Sequence, residues 1–344
     1  MGPAAINPNF NDAYSQDWNL TIQRQITPSV GLEVAYVGVK GTHLQLNENI
    51  NQPFVTNGIY GSTRPFPTLP QASPVLPAQC VATTANPNGC NLNNFNQINS
   101  VGNSNYNAVW VKADKHFSHG LQFLASYTYS KALDYNSLSS SESLVIQNAY
   151  NPRGDYGPSE FDVRNRFVLS GFYELPFKSN RLVSGWQFGV VQQAQSGSPL
   201  TPSLTINPSP AIPLAVRPDL IGTVQTTGNP AQWFASKAVF ASPCVAAVPP
   251  ATLPTCHPGT LGRDTITGPG FLDTDFSVTK NTKINERFNL QFRSEFFDLF
   301  NHPNFGNPVL TLTSSSFGQI QSTRFPTGDF GSARQIQFAL KLLF

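Results

Sequence analysis

The histidines are the first candidates in this chain for catalysis or for binding a metal ion. The five histidines are scattered, and only His116 and His119 lie close together, at a turn-like segment that contains "SHG" (118–120). We interpret these two as polar turn residues and not as ligands of a metal site. The chain has no G-x-S-x-G, P-loop or G-x-G-x-x-G motif. The sequence therefore predicts no catalytic residue, no metal site and no bound cofactor.

The four cysteines fall in two pairs, each within one long polar stretch. Cys80 is followed by Cys90, and Cys244 by Cys256, with spacings that do not match a zinc ligand set. Four cysteines allow three pairings, and free thiols are the alternative to any of them. Two local bridges, Cys80–Cys90 and Cys244–Cys256, need no contact between the two stretches. In an oxidising compartment each would restrain its segment by about 2–3 kcal/mol.

Charged residues recur at i and i+2 inside segments that alternate between apolar and polar residues. Side chains two positions apart lie on the same face of a strand. Such pairs are candidates for lining a hydrated substrate path, and ordinary solvated side chains are the alternative interpretation. The candidates are Arg164, Arg166, Asp273, Asp275, Arg293 and Glu295.

The composition excludes several classes of protein. Charged residues make up 12% of the chain, about half the usual share of a soluble domain. The net charge is +2 and no run of Lys and Arg occurs, so no nucleic-acid surface is expected. No stretch is long and apolar enough for a transmembrane helix. The start of the sequence lacks the features of a signal peptide.

Period-two alternation of apolar and polar residues predicts an all-β protein. Its final segment, "QIQFALKLLF", places apolar side chains at alternate positions up to the last residue. Helical periodicity is nowhere sustained. We predict nine strands, at about residues 13–26, 31–46, 106–117, 121–134, 161–177, 185–199, 270–280, 288–300 and 333–344.

The predicted connections alternate in length along the chain. The short ones are 27–30, 118–120, 178–184 and 281–287, and the long ones are 47–105, 135–160, 200–269 and 301–332. In an antiparallel up-and-down sheet all long connections then lie at one end. Long loops at one end and short turns at the other are typical of a transmembrane β-barrel.

Alternation alone does not say which face of the sheet points inward. Long polar side chains in mid-strand favour a wet lumen, and aromatic residues near the short turns favour an interfacial girdle. The membrane barrel is therefore the preferred interpretation. The alternative is a soluble or surface-bound all-β binding or adhesion protein that uses residues 47–105 and 200–269 for recognition.

Two stretches resemble a known family. "GRDTITGPGFLDTDFSVTKNTKI" (262–284) and "NLQFRSEFFDLFNHPNFGNP" (289–308) look like closing strands of TonB-dependent outer-membrane transporters of the Oar-like branch. "SQDWNLTIQRQITPSVGLEVAYVGVKGTHL" (15–44) and "LQFLASYTYSKALD" (121–134) are similar to earlier strands of that barrel. The resemblance implies a large plugged barrel of about 22 strands in the outer membrane, which takes up a bulky ligand.

The resemblance also implies partners and a fragment. Residues 1–344 correspond to the C-terminal part of the barrel, and the plug domain and signal peptide are expected elsewhere. The expected partners are outer-membrane lipid, the barrel assembly machinery, and the TonB complex through the missing N-terminal part. The last strand resembles the assembly signal of this class, formed by Phe338, Leu340, Leu342 and Phe344.

Overall fold

A single large antiparallel sheet dominates the computed structural model of this chain. The structure describes residues 4–61, 63–66, 95–137, 146–204, 216–245, 255–324 and 333–344. Nine strands follow one another in sheet order, so each long strand pairs with its neighbours in sequence. They are β1 (Tyr14–Thr27), β2 (Val30–Asn49), β3 (Asn96–Ser118), β4 (Leu121–Asp134), β5 (Asn165–Glu174), β6 (Trp186–Gln195), β7 (Phe271–Lys283), β8 (Asn289–Phe297) and β9 (Gln335–Leu343).

The prediction of an all-β, up-and-down sheet is confirmed, and each predicted strand overlaps an observed one. The boundary of β3 was wrong by ten residues, because the strand begins at Asn96 and not at residue 106. The polar segment 96–105 carries no strand-like alternation, yet residues 96–99 pair with residues 46–49 at the end of β2. The first long connection is therefore shorter than expected, running from residue 50 to residue 95.

The turn between β3 and β4 shows why the short connections form. His119 and Gly120 both have positive φ, 53° and 77°. Two successive positive φ values are typical of the two-residue turns that match the twist of a hairpin. A Cβ atom at Gly120 would lie 2.5 Å from the carbonyl oxygen of Glu174. Glycine therefore allows both the backbone conformation and the close approach of β5.

The cross-strand register divides the sheet into two faces of opposite character. Residues opposite one another in a ladder share a face, and the next residue along each strand lies on the other face. One row of partners crosses seven strands with apolar side chains only, namely Ile22, Val34, Val111, Tyr127, Phe167, Ala194 and Leu272. The row beside it is mostly polar, namely Gln23, Glu33, Lys112, Ser126, Val168, Gln193 and Asp273. We call these two surfaces the apolar face and the polar face.

Much of the apolar face is uncovered by protein. Leu20 and Ile22 on β1 are each 65% exposed, and Phe338 and Leu340 on β9 are 67% and 69% exposed. Removing one such side chain from water stabilises a protein by about 1.5–3 kcal/mol. Soluble monomers therefore rarely expose large contiguous apolar patches. This surface is therefore suited to hydrocarbon and not to water.

The packed core lies at the long-loop end, outside the sheet. Short strand pairs in the long connections, such as Asp219–Leu220 with Phe240–Ala241, hold them together. We call the described residues of these connections (50–61, 63–66, 135–137, 146–164, 196–204, 216–245, 255–270 and 298–324) the loop cap. Its main apolar cluster comprises Leu200, Leu204, Trp233, Phe234, Phe240, Leu261, Ile266 and Leu312. The sequence interpretation assigned no elements to these connections.

The sheet has two open edges. Among the described residues, β1 pairs only with β2, and β9 pairs only with β8. A row of unpaired backbone groups costs several kcal/mol per group in hydrocarbon. These edges therefore need further strands before the sheet can reside in a bilayer.

The segment "DLFNHPN" after β8 forms a turn that joins three parts of the chain. Asp298 is 1% exposed, and its N–H donates to Asp275 Oδ1 at 3.1 Å. Asp298 Oδ1 accepts from the N–H of His302 at 2.9 Å, and Asn301 Oδ1 accepts from the N–H of Arg334 at 3.0 Å. Asp298 and Asn301 have φ of 46° and 51°, a conformation that Asp and Asn tolerate. The turn therefore connects β7, β8 and the start of β9.

We expect Asp298→Ala to lower the free energy of unfolding by about 1–3 kcal/mol, because it removes the hydrogen bond that the buried Asp298 carboxylate accepts from the N–H of His302. Asp298→Asn keeps an acceptor oxygen and the tolerated backbone conformation, so it should lose clearly less. Guanidinium unfolding of the micelle-solubilised protein, followed by tryptophan fluorescence, measures both. Equal losses for the two variants would contradict this role of the side chain.

Candidate functional site

The polar face carries five of the six charged residues that the sequence singled out. Arg166 lies opposite Thr128 and Gln195. Asp273 and Asp275 lie on β7, and Arg293 and Glu295 lie on β8. The ladders that join β6, β7 and β8 place all four on the polar face. Shared register therefore brings these residues, which are far apart in sequence, to one surface.

Arg164 was expected in mid-strand, and this was wrong. Strand β5 begins at Asn165, so Arg164 lies just outside it and forms an ion pair with Asp162 at 3.0 Å. Asp162 Oδ1 also accepts from the N–H of Ala132 at 2.7 Å. Arg164 therefore belongs to the junction between β4, β5 and the loop cap.

Two open cavities lie along the polar face. One, of about 570 Å³, spans β4 to β8 and is lined by Gln122, Gln187, Asp275, Arg293 and Glu295, among others. Within it Arg293 and Glu295 form an ion pair at 2.7 Å. The other cavity, of about 670 Å³, lies over β1 to β4. This surface has room for water and for polar groups of a ligand.

A buried ionic cluster holds the loop cap together, and Arg217 is at its centre. The Arg217 guanidinium forms an ion pair with Asp155, and its Nε–H donates to the carbonyl of Leu261 at 2.8 Å. Its backbone N–H donates to Gln147 Oε1 at 2.8 Å. Gln147 in turn donates to the carbonyl of Gly259 at 2.9 Å. Arg217 therefore joins the second long connection to two parts of the third.

Arg263 extends the cluster to the sheet. Its guanidinium donates to the carbonyl of Asp155 and to Asp264 Oδ2, both at 2.9 Å, and forms an ion pair with Asp134 at the end of β4. Arg263 is 5% exposed. Because its partners lie on separate segments, one side chain fixes the loop cap to the rim of the sheet.

The first long connection is joined through neutral hydrogen bonds. The hydroxyl of Tyr60 donates to the carbonyl of Gln147 at 2.8 Å, and that of Tyr150 donates to the carbonyl of Gln52 at 2.8 Å. Gln52 Oε1 accepts from the N–H of Ala149 at 2.7 Å. Burial raises the pKa of Tyr60, so this hydroxyl stays protonated and remains a donor.

The cluster has an electrostatic cost as well as a benefit. Burial raises the pKa of the Asp155 carboxyl, against the opposing effect of Arg217, and burial also raises the pKa of Asp264. Buried ion pairs add little net stability compared with apolar packing, but removing one partner is strongly destabilising. The arrangement therefore specifies the geometry of the loop cap more than it adds to its stability.

A disulfide joins Cys244 and Cys256, which lie opposite each other in a short antiparallel pair. Cys256 is 1% exposed and packs in a cluster with Tyr60 and Val216. The bridge therefore stiffens the part of the third long connection that contacts the first. Cys80 and Cys90 lie outside the described residues.

The four residues of the predicted assembly signal lie at the β9 edge. Phe338, Leu340 and Leu342 belong to the apolar face, and Phe344 is 94% exposed. The ring of Phe338 stacks on Phe292 at 6.2 Å between centroids. The ring centroids of Phe344 and Phe288 are 6.5 Å apart.

Metal ligands and membrane helices are not found in the part of the chain that the structure describes. No three His, Cys, Asp or Glu side chains come together there in a way that could hold a metal ion. No helix in the same ranges is long and apolar enough to cross a membrane.

Sequence reasoning missed the ionic cluster of the loop cap. Arg217, Arg263 and Asp155 lie in the short segments "VRPDL", "LGRDT" and "PRGDYGP". A faint signal was present, since these segments place Arg and Asp beside Pro or Gly in connections that otherwise hold few charges. Their pairing still depends on contacts between distant segments, which no spacing reveals.

We expect Arg263→Met to open the loop cap, because it leaves buried acceptors and a buried carboxylate without a donor. Loss of one partner of a buried pair costs about 3–5 kcal/mol. Limited proteolysis of the folded protein should then cut the cap much faster. Arg153→Met is the matched control, since Arg153 is exposed in the same cap. Equal cleavage rates in both variants would contradict the role of Arg263.

Known proteins similar to this chain are found among the solved structures. None of the curated proteins matches the chain. Similar solved structures include the outer-membrane transporter YddB from Escherichia coli (TM-score 0.45, 9% identity, 99% of this chain, 34% of that chain) and the FrpB iron transporter from Neisseria meningitidis (0.42, 10%, 99%, 33%). Another is the ferripyoverdine receptor of Pseudomonas aeruginosa (0.44, 10%, 96%, 27%). The chain therefore spans about a third or less of these proteins.

A family model provides the assignment. The model described as "Outer membrane beta barrel domain" matches residues 1–337, nearly the whole chain. This match agrees with the up-and-down sheet and with its uncovered apolar face. The chain belongs to the outer-membrane β-barrel domain family, and its location is the outer membrane.

Proposed function

We propose that this chain is part of the barrel of a TonB-dependent transporter of the Oar-like branch, which takes up a bulky ligand that is not yet identified. The observation that carries the proposal is the pairing of an uncovered apolar face with a polar face that borders open cavities. A wall between lipid and a wide aqueous lumen needs these two surfaces. The resemblance of residues 262–308 supports the choice of family branch.

The width of the lumen follows from what occupies the polar face. Barrels of about eight strands fill their interior with side chains, whereas much larger barrels leave a channel or hold a plug. Here the charged groups of Asp275, Arg293 and Glu295 border a cavity of about 570 Å³. Hydrated charges beside open space support a wide barrel, with these side chains on its inner wall.

The open edges support a barrel larger than nine strands. Because both edges need partners in hydrocarbon, we propose that further strands of the parent protein close the barrel, to about 22 in total. The plug and the segment that contacts the TonB complex would come from the same parent. Outer-membrane lipid and the barrel assembly machinery are the other partners in this proposal.

The second candidate is a surface binding or adhesion protein that uses the loop cap for recognition. The packed cap, with its ionic cluster and disulfide, supports this candidate to the extent that it forms a defined surface. The cavities of the polar face support the transporter. Neither candidate assigns a catalytic residue to the chain.

Uptake assays with substitutions on opposite faces test the transporter. In the full-length protein, Ser277→Trp puts a large ring on the polar face, and Val278→Trp puts the same ring on the apolar face. A gene-deletion strain, complemented with each form, is compared for energy-dependent uptake of bulky solutes. We expect Ser277→Trp to reduce uptake several-fold and Val278→Trp to leave it near the wild-type rate. Surface adhesion lost on gene deletion, with uptake unchanged, would favour the second candidate.

Phe344 tests the proposed assembly signal. We expect deletion of Phe344, or Phe344→Asp, to lower the amount of the full-length protein in the outer membrane at least several-fold, because an aromatic ring is favoured at the interface. Thr313 is exposed in the last long connection, so the Thr313→Asp variant should assemble normally. Immunoblots of outer-membrane fractions measure the amounts. If the Phe344 variants reached the outer membrane in the same amount as the wild type and Thr313→Asp, Phe344 would contribute packing only.

A further inference from the structure

The charges on the apolar face are all of one sign. In the regularly paired parts of the eight ladders this face carries Arg24, Lys40, Lys115, Lys131 and Lys280. The acidic residues of the same ladders, such as those of β7 and β8, lie on the polar face. At the middle of the hydrocarbon layer, positively and negatively charged side chains are similarly unfavourable. The uniform sign therefore points to anions next to this face.

The positions of these cations match the two edges of an apolar band. Arg24 lies at the short-turn end of β1, and Gln16, which pairs with Lys40, lies eight residues earlier (24 minus 16). Phe123, which pairs with Lys115, and Lys131 on β4 are also eight residues apart (131 minus 123). Eight residues span about 27 Å along a strand, or about 20 Å in height at a barrel tilt of about 40°. The apolar band of such barrels is about 25 Å tall, so these cations lie just inside its limits and their long side chains reach the headgroup regions.

A groove lies on the apolar face in its short-turn half. It has a volume of about 270 Å³ and is lined mainly by Phe123, Leu169, Tyr173, Phe188 and Phe276, around Gly171. A Cβ atom at Gly171 would lie 2.8 Å from both the carbonyl oxygen of Gln122 and the Cβ of Phe123. The close approach of β4 therefore requires glycine here, and Gly171 adds no side chain to the groove between the aromatic rings. Its shape and lining suit an alkyl chain.

Lys280 provides a cation near this groove. Lys280 pairs with Trp186, and its ammonium lies 5.4 Å from the Trp186 ring. Trp186 is two residues before Phe188, so it lies on the same face next to the groove. The ammonium donates to the carbonyls of Arg181 and Ser184, which leaves its third N–H for another acceptor.

No carboxylate forms an ion pair with this ammonium within the described ranges. The ion pairs found there, at up to 4.0 Å, do not include Lys280. Arg181 and Lys178 are exposed in the same turn, residues 175–185, and add positive charge beside it. This turn thus carries the exposed Lys178 and Arg181 near the largely buried Lys280, and Glu286 borders the same small cavity as Arg181. An anionic group attached to an alkyl chain is the complementary ligand.

We propose that this groove binds one glycerophospholipid, with an acyl chain along Gly171 and its phosphate at Lys280 and Arg181. The proposal rests on the assignment of the apolar face to lipid made above. The phosphate accepts the free N–H of Lys280 and the donors of Arg181. Lipid bound here would hold the long turn 175–185 at the membrane interface.

Native mass spectrometry of the delipidated full-length protein tests the site, with dioleoyl phosphatidylglycerol as the probe. We expect Lys280→Met and Arg181→Ser each to weaken its binding about tenfold. Lys341→Met removes the same charge near the short-turn end on the polar face and should bind as wild type. Val190→Trp, which covers the groove without changing Gly171, should also weaken binding. Dioleoylglycerol, which has the same chains without phosphate, should bind much more weakly.

Two results would overturn the proposal. One is equal phosphatidylglycerol binding by the Lys280→Met and Lys341→Met variants, and the other is equal binding of the phospholipid and of dioleoylglycerol. Heat modifiability of each variant checks that it is folded, and Arg181→Ser provides a second test because its side chain is exposed. Failure of this site would leave uptake by the wild-type protein unchanged, whereas failure of the transporter proposal would show in the uptake assays.

Discussion

The need to satisfy every backbone N–H and C=O inside hydrocarbon is the constraint on which this structure depends. Only a helix or a closed sheet meets it, and this chain contributes long antiparallel ladders whose two outer edges still need partner strands. Once strands are used, side chains alternate with period two, so each strand must present one face to lipid and the other to the interior. The apolar row from Ile22 to Leu272 and the polar row from Gln23 to Asp273 are the direct result.

A sheet that turns its apolar side chains outward has no core of its own, and the long connections provide one. Their apolar cluster around Phe234, Phe240 and Leu261 does the packing, while the cluster of Arg217, Arg263 and Asp155 fixes how the connections meet. Charged side chains thus line the polar face and fix the segments of the loop cap to one another.

The sequence predicted those features that depend on local periodicity. Strands such as β4 and β8 alternate clearly, and their faces follow from the alternation. The extension of β3 to Asn96 was missed because its residues are polar, so the ladder that holds them leaves no apolar alternation in the sequence. The loop cap was missed for a different reason, since Arg263 and Asp134 are 129 residues apart in sequence. A contact of that kind leaves no periodic trace in one sequence.

The central claim is that the apolar face meets lipid and the polar face meets water. Nitroxide labels placed one at a time at each position from 122 to 129 of β4, in the full-length protein in bilayers, measure it directly. The account predicts period-two alternation, with oxygen reaching labels at the odd positions and a water-soluble nickel complex reaching those at the even positions. Odd positions that neither reagent reaches would indicate a closed apolar core and would contradict the account.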